Sequence, residues 1–429
     1  MDHTEHIGIQ VCILYRNLED GGLLETVSGL MAREEDPDTL YVQLCGITAQ
    51  LVEMAGKYGL SGNLWHAYLT HLLVNHDNAY SRACEMRSGA AGSINTAALH
   101  DFRILKRLFD FPLEKLAREV GADYCDLLEH YVLSEGQGKS YNARICSRIA
   151  QLCGALEETE KPEDFMACVT AFYGEYGVGT FGLHKAFRVG ENAQIIPINN
   201  VAHVHLDDLV GYEYAKQQLI ENTEAFIAGR PSNNCLLYGD AGTGKSSSIK
   251  AIMNQYYDQG LRLIELYKHQ FRDLNAVIAQ IKNRNYRFII YLDDLSFEEF
   301  ETDYKYLKAV IEGDLEQRPD NIRIYATSNR RHLVRETTGD RSDADEDLHR
   351  SDTVQEKISL SARFGKQIYF GKPTPQEFRT MVKILAARQG VKMEEQELLR
   401  EANKWEVAHG GYSGRAAQQF IDDLRGRGY

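Results

Sequence analysis

Gly239-Asp240-Ala241-Gly242-Thr243-Gly244-Lys245-Ser246, with Ser247 behind it, carries the plainest chemistry in the chain. The pattern G-x-x-x-x-G-K-[ST] belongs to loops that wrap phosphate. Its glycines let backbone amides turn inward, at the positive end of the helix that follows. Lys245 is expected to neutralise β- and γ-phosphate charge, and the Ser246 hydroxyl to ligate Mg2+. The setting of the pattern strengthens this reading, because CLLYG reads as a strand before the loop and KSSSIKAIMNQYY as a helix after it. The nine residues Gly239 to Ser247 are therefore the expected contacts for ATP or ADP.

Further along, RFIIYL ends in Asp293-Asp294. An apolar strand ending in two acids presents carboxylates at the edge of a sheet where nucleotide binds. Asp293 is expected to hold Mg2+, and Asp294 to act on the attacking water. Two acids can also simply open a solvated turn; the phosphate loop upstream favours the catalytic reading. The acids are expected to face Lys245 from the adjoining strand. The next strand ends in Thr327-Ser328-Asn329, where the Asn329 amide could orient the lytic water. Arg363, in EKISLSARFG, could reach a neighbour's γ-phosphate, and Arg415, in GYSGRAA, could contact phosphate in its own subunit. Either arginine could instead be an ordinary surface residue.

These residues need a frame. CLLYG, LRLIEL, RFIIYLDD, IRIYATSN and KQIYFG are short apolar runs separated by helical stretches. Such runs indicate a parallel sheet buried on both faces. Residues 1–190 read as mostly helical, with apolar residues at i, i+3, i+4 and i+7 in segments such as TLYVQLCGITAQLVEMAGKYG and PLEKLAREVGADYCDLLEHYVL. Glycine-rich and aperiodic sequence then suggests a linker over 191–205. Residues 206–372 form the expected α/β nucleotide-binding part, and 373–429 a small helical lid.

The motif order resembles that of AAA+ ATPases: Walker A, Walker B, sensor 1, arginine finger and sensor 2. LYGDAGTGKSSSIKA, IIYLDDLSFE, YATSNRRHL, EKISLSARFG and GYSGRAA are similar, more narrowly, to a bacterial family catalogued as domain of unknown function 815, over about 203–425. The resemblance implies a P-loop NTPase (AAA+) α/β fold with a parallel sheet flanked by helices and a C-terminal helical lid, preceded here by the helical N-terminal domain. It implies that LDDLVGYEYAK packs on adenine, with Val210, Gly211 and Tyr212 nearest the base. Two departures stand out. Most AAA+ proteins have Asp-Glu in Walker B, whereas Asp294 is one methylene shorter, and Glu298 is a weaker alternative. Remodelling members usually carry an aromatic–hydrophobic–glycine pore loop after the second strand. Here the helix HQFRDLNAVIAQIKN takes up nearly all of that space.

Composition narrows the class. The chain has 429 residues, 43% hydrophobic and 26% charged, with a net charge of −14. That acidity argues against nucleic acid or anionic lipid as a general partner, although Arg330, Arg331 and Arg335 form a small basic cluster. No apolar run approaches the roughly 20 residues that span a bilayer, and the start lacks the features of a signal peptide. The eight cysteines include no CxxC pair, consistent with reduced thiols in the cytoplasm. His66, His71 and His76 are spaced by five, so they cannot share one helix face as metal ligands. The polar segment 331–357 is long enough to be either mobile or ordered against a neighbouring subunit.

Three functions are expected to compete. The first is an oligomeric ATPase that remodels or assembles a protein partner held by the N-terminal helices, with Arg363 acting in trans. The second is a nucleotide-dependent switch or scaffold with slow hydrolysis. The third is a loader-like ATPase associated with nucleic acid.

Overall fold

The computed structural model describes residues 8–18, 22–32, 36–87, 92–133, 143–297, 304–312, 319–329, 333 and 360–429. The chain divides into two compact units, Met1–His184 and Lys185–Tyr429.

The first unit is helical among its described residues. Its longest helix, Pro37–Tyr58, starts where the Asp36 side chain accepts from the Asp38 and Thr39 amides, and ends at Gly59 in left-handed conformation. It buries Leu44, Ile47, Leu51 and Ala55 along one face. The helix Leu64–Asn75 packs Trp65 inward, with the indole N–H donating to the Leu108 carbonyl at 2.7 Å. Asp101 is fully buried, and its carboxylate accepts from the Ile13, Leu14 and Tyr15 amides at 2.6–3.0 Å. That bond set pins the leading turn. The three histidines of spacing five stack separately: His66 on Phe109, His71 on Tyr58 and His76 on Tyr15. The stretch from Pro112 differs from the single helical period of its sequence. It forms Leu113–Glu119 and Cys125–Glu129, separated at Gly121, whose φ of 73° no continuing helix tolerates.

The second unit holds a seven-stranded sheet of order β2-β1-β4-β5-β6-β3-β7. The strands are β1 (Ala186–Val189), β2 (Ile195–Pro197), β3 (Cys235–Gly239), β4 (Leu261–Glu265), β5 (Arg287–Leu292), β6 (Ile322–Ser328) and β7 (Lys366–Phe370). From β1 to β7 every pairing is parallel, and β2 closes the edge antiparallel to β1. Five of the six β5 residues are buried, as double-faced cover requires. This is the α/β parallel sheet the apolar runs imply, with two additional strands.

Those two strands move the boundary. The expected division near 190 and linker over 191–205 give way to a sheet that begins at Ala186. Strands of four and three residues are too short to leave an alternating pattern. Beyond them the side-chain amide of Asn254 donates to the Ala202 and Val204 carbonyls, both at 2.9 Å, fastening this segment onto the second unit. The C-terminal helices Pro375–Gln389, Glu395–Ala408 and Gly414–Gly426 have a core of their own around Phe378, Val382, Ala402, Ala417 and Ile421. Thr374 and Glu377 form a capping box at its first helix.

Candidate functional site

The centre of the sheet decides where chemistry can occur. β3 lies between β6 and β7, and β6 separates β3 from β5. The acids of β5 therefore do not adjoin the strand of the phosphate loop, contrary to the sequence expectation. Sequence order does not give spatial order here, and β6 supplies the surface that joins them.

After β3 the chain turns into the loop at Gly239, whose φ is 138°. A Cβ there would lie 2.0 Å from the Phe370 carbonyl oxygen, so only glycine fits. The loop closes over Lys245, the first residue of the helix Lys245–Tyr256. Lys245 is 6% exposed. Its ammonium donates to the Gly239 carbonyl at 3.0 Å, the Asp240 carbonyl at 2.6 Å and Asn329 Oδ1 at 3.1 Å. Burial lowers its pKa from the ordinary lysine value, against the opposing pull of Asp240, Asp294 and Asp293.

From there a chain of contacts reaches both acids. Asn329 Nδ2 donates to Asp294 Oδ1 at 2.9 Å. The Ser246 hydroxyl donates to Asp293 Oδ1 at 2.8 Å, and the Thr327 hydroxyl donates to the same oxygen at 2.6 Å. Burial opposes the charge on Asp293, yet hydrogen bonds led by Thr327 outweigh it and hold the carboxyl below its ordinary range. Ala241, Gly242, Thr243, Gly244, Ser246, Ser247, Asp293, Asp294, Asn329 and Arg415 share one cavity of about 280 Å3 with Lys245 and Thr327. Its donors suit a hydrated magnesium–phosphate group: a hydroxyl and a carboxylate side by side, inward lysine, and a helix N-terminus.

A second cavity of about 370 Å3 opens beside it. Val210 and Tyr212 line it, facing Met381 and Leu385 of the lid. Gly211 makes the turn behind them at a φ of 89°, and a Cβ there would meet the Met381 methyl at 2.5 Å. Ser247 and Arg415 line both cavities. The lid reaches the phosphate loop directly, through the Arg415 amide on the Gly242 carbonyl at 3.0 Å. Asp240 turns the other way, its carboxylate accepting from the Lys372 amide at 3.1 Å.

Arg363 is not part of this cluster. It precedes β7 at the strand's N-terminal end, next to Lys366, which pairs with Cys235, whereas the phosphate loop leaves the opposite end, where Gly239 pairs with Phe370. Glu298, the cluster Arg330, Arg331 and Arg335, and all of 331–357 except Leu333 lie outside the described residues. Sequence reasoning assigned nothing to Thr327, Met381, Leu385 or Lys216. Lys216 is 7% exposed and ties the turn beside the second cavity by donating to the Leu209 carbonyl at 2.8 Å.

The model of the family described as "Protein of unknown function (DUF815)" matches residues 183–428, more than half of the chain. The chain belongs to the DUF815 family. Over 66 residues this DUF815 protein is 41% identical to the replication factor C large subunit of Staphylothermus marinus, which covers 15% of each chain. Over 97 residues it is 31% identical to replication factor C subunit 3 of Schizosaccharomyces pombe, covering 22% of this chain and 27% of that one. It thus spans less than a third of the length of either relative. Among solved structures it is similar to the RuvB Holliday junction branch migration motor of Thermotoga maritima, 16% identical with a TM-score of 0.36, over 52% of this chain and 64% of that one. The strand order and phosphate loop of the DUF815 chain itself assign the AAA+ P-loop fold.

Proposed function

We propose that the chain binds ATP with Mg2+ and hydrolyses it as a homo-oligomer, to remodel or assemble a protein partner held by its N-terminal helical unit. One observation carries the reading: the buried Lys245 ammonium connects through Asn329 to Asp294, while its neighbour Ser246 meets Asp293 at 2.8 Å. Lys245 would hold the β- and γ-phosphate oxygens, and Ser246 and Asp293 the magnesium ion. That ion, when bound, offsets phosphate charge. Asn329 would orient the water, and Asp294 would take its proton. Val210 and Tyr212 suit a flat apolar base. Arg415 would touch phosphate from its own lid. Arg363, beside the opposite end of β7 from the phosphate loop, suits a neighbour's site better than its own.

An oligomer is supported by the two relatives named as subunits of replication factor C. A cytoplasmic protein agrees with buried thiols, two of which, Cys12 and Cys153, are pushed up to about 12 by burial. No helix among the described residues is long and apolar enough to cross a membrane. The net charge of −14 argues against nucleic acid as the main partner.

The slow-switch reading has its own support, since Asp294 is short and all three Lys245 donors are satisfied within the protein. Turnover well above about 1 s⁻¹ would argue it down. The deciding experiment is native mass measurement with ADP and with a non-hydrolysable ATP analogue, alongside steady-state hydrolysis. Larger assemblies with the analogue, and measurable turnover, are expected. No affinity for either nucleotide in magnesium buffer would sink the proposal.

A further inference from the structure

Thr327 stands between everything the site needs. It lies on β6, the strand interposed between the phosphate-loop strand and the acid-bearing strand, and is 1% exposed. Its hydroxyl donates to Asp293 Oδ1 at 2.6 Å and accepts from the Asp294 amide at 2.9 Å. Its carbonyl accepts from the Leu295 amide at 2.7 Å. A threonine hydroxyl has one proton, and here that proton goes to Asp293 while a lone pair takes Asp294. One side chain thus addresses two successive acids.

Asp294 is held in an uncommon conformation, with a φ of 49°. Residues with a side chain rarely adopt it, and aspartate and asparagine tolerate it best. The amides on both sides of the Asp294 carbonyl carbon and α-carbon, its own and that of Leu295, end on Thr327. The turn directs the short carboxylate to Asn329 Nδ2 at 2.9 Å, and Asn329 in turn receives Lys245.

Resting on the magnesium-nucleotide reading above, we propose that Thr327 is a positioning residue for both carboxylates. The left-handed turn it holds at Asp294 is the reason an aspartate, and not the longer acid, stands at that place. A glutamate there would strain the turn and carry its carboxylate past Asn329. The shorter side chain is then a fitted part of this site.

The test compares wild type, Thr327→Val, Thr327→Ser and Asp294→Glu as full-length proteins. Valine keeps the shape and removes the hydroxyl; serine keeps the hydroxyl. For Thr327→Val, kcat for MgATP is expected to fall by about tenfold to a hundredfold, the effect of a small misplacement of reacting groups, with KM changed less than about threefold. ADP affinity in EDTA should stay near wild type, while the Mg2+ concentration needed to tighten ADP binding rises several-fold. Serine should restore both quantities, and Asp294→Glu should slow turnover.

Equal kcat in wild type and Thr327→Val overturns the positioning role and leaves the proposed function standing. A serine variant as impaired as valine assigns the loss to packing and overturns it as well. Faster turnover in Asp294→Glu overturns the account of the turn. If the valine variant does not fold, Thr327→Cys, close in size and only a weak donor, is read in its place by the same criteria. Wild type that binds no nucleotide overturns this inference together with the function beneath it.

Discussion

The main-chain amide of Arg415, in the first turn of the lid helix Gly414–Gly426, donates to the carbonyl of Gly242 within the phosphate loop at 3.0 Å. Gly242 has a φ of 75°, and a Cβ there would lie 3.1 Å from both Arg415 Cβ and Ser413 Oγ. Gly242→Ala therefore meets backbone strain of about 1–2 kcal/mol and a crowded lid contact at once. ADP affinity is expected to weaken by about tenfold or more, since about 1.4 kcal/mol is one decade. Calorimetric titration with ADP checks this, and unchanged affinity would show that the lid contact is incidental.

Lys245→Met tests the phosphate cradle through stability, without reference to turnover. Ligand that binds only the native state stabilises it by about 2.7 kcal/mol at a hundred times Kd. The wild-type melting temperature should rise on adding MgADP, and that of the variant should not. A shift of equal size in both proteins would place the nucleotide elsewhere.

Because Arg363 lies at the opposite end of β7 from Phe370, its action must be read in mixtures. Arg363→Ala alone should lose most hydrolysis and keep ADP binding near normal. Mixed with Lys245→Met, which has an intact arginine and a dead site, activity should recover. Absence of recovery at every mixing ratio would reject a role across subunits.

The helical unit carries its own pH signature. His71 stacks on Tyr58 at 4.0 Å, and burial, with a smaller contribution from Lys57, lowers its pKa from 6.5 to about 4. Between those values the unfolded chain binds a proton that the folded chain refuses. Stability tied to His71 is thus complete above pH 6.5 and falls as pH drops toward about 4. His71→Phe keeps an aromatic ring and removes the titration. Its melting temperature should depend less on pH across that window; identical slopes for the two proteins would discard the assignment.

How far the site was legible depended on whether its parts were consecutive. Ala241 to Ser247 could be read directly, because a phosphate loop is a local object whose consecutive residues line one cavity. Asp293, Asp294 and Asn329 could be read because each ends a buried strand at the same edge. Thr327 could not. Its role comes from β6 lying between β3 and β5, and strand order is a property of the folded sheet. Met381 and Leu385 were hidden for a related reason, since only the placement of the C-terminal helices brings them to the second cavity. The break at Gly121 was missed because apolar spacing persists through a residue whose backbone turns left-handed. The strands at 186–189 and 195–197 gave too few side chains for any period to register.

The lid is fastened to the cradle at both its beginning and its last helix. The Lys372 amide holds the Asp240 carboxylate just before the first lid helix, and the Arg415 amide holds the Gly242 carbonyl from the final one. A flap anchored in this manner is expected to swing only together with the loop it holds. To open, it must unpick hydrogen bonds that belong to the phosphate cradle itself. On the proposed function, release of nucleotide and movement of the flap would share one barrier, and a fluorophore on the lid should report the same rate constant as ADP leaving.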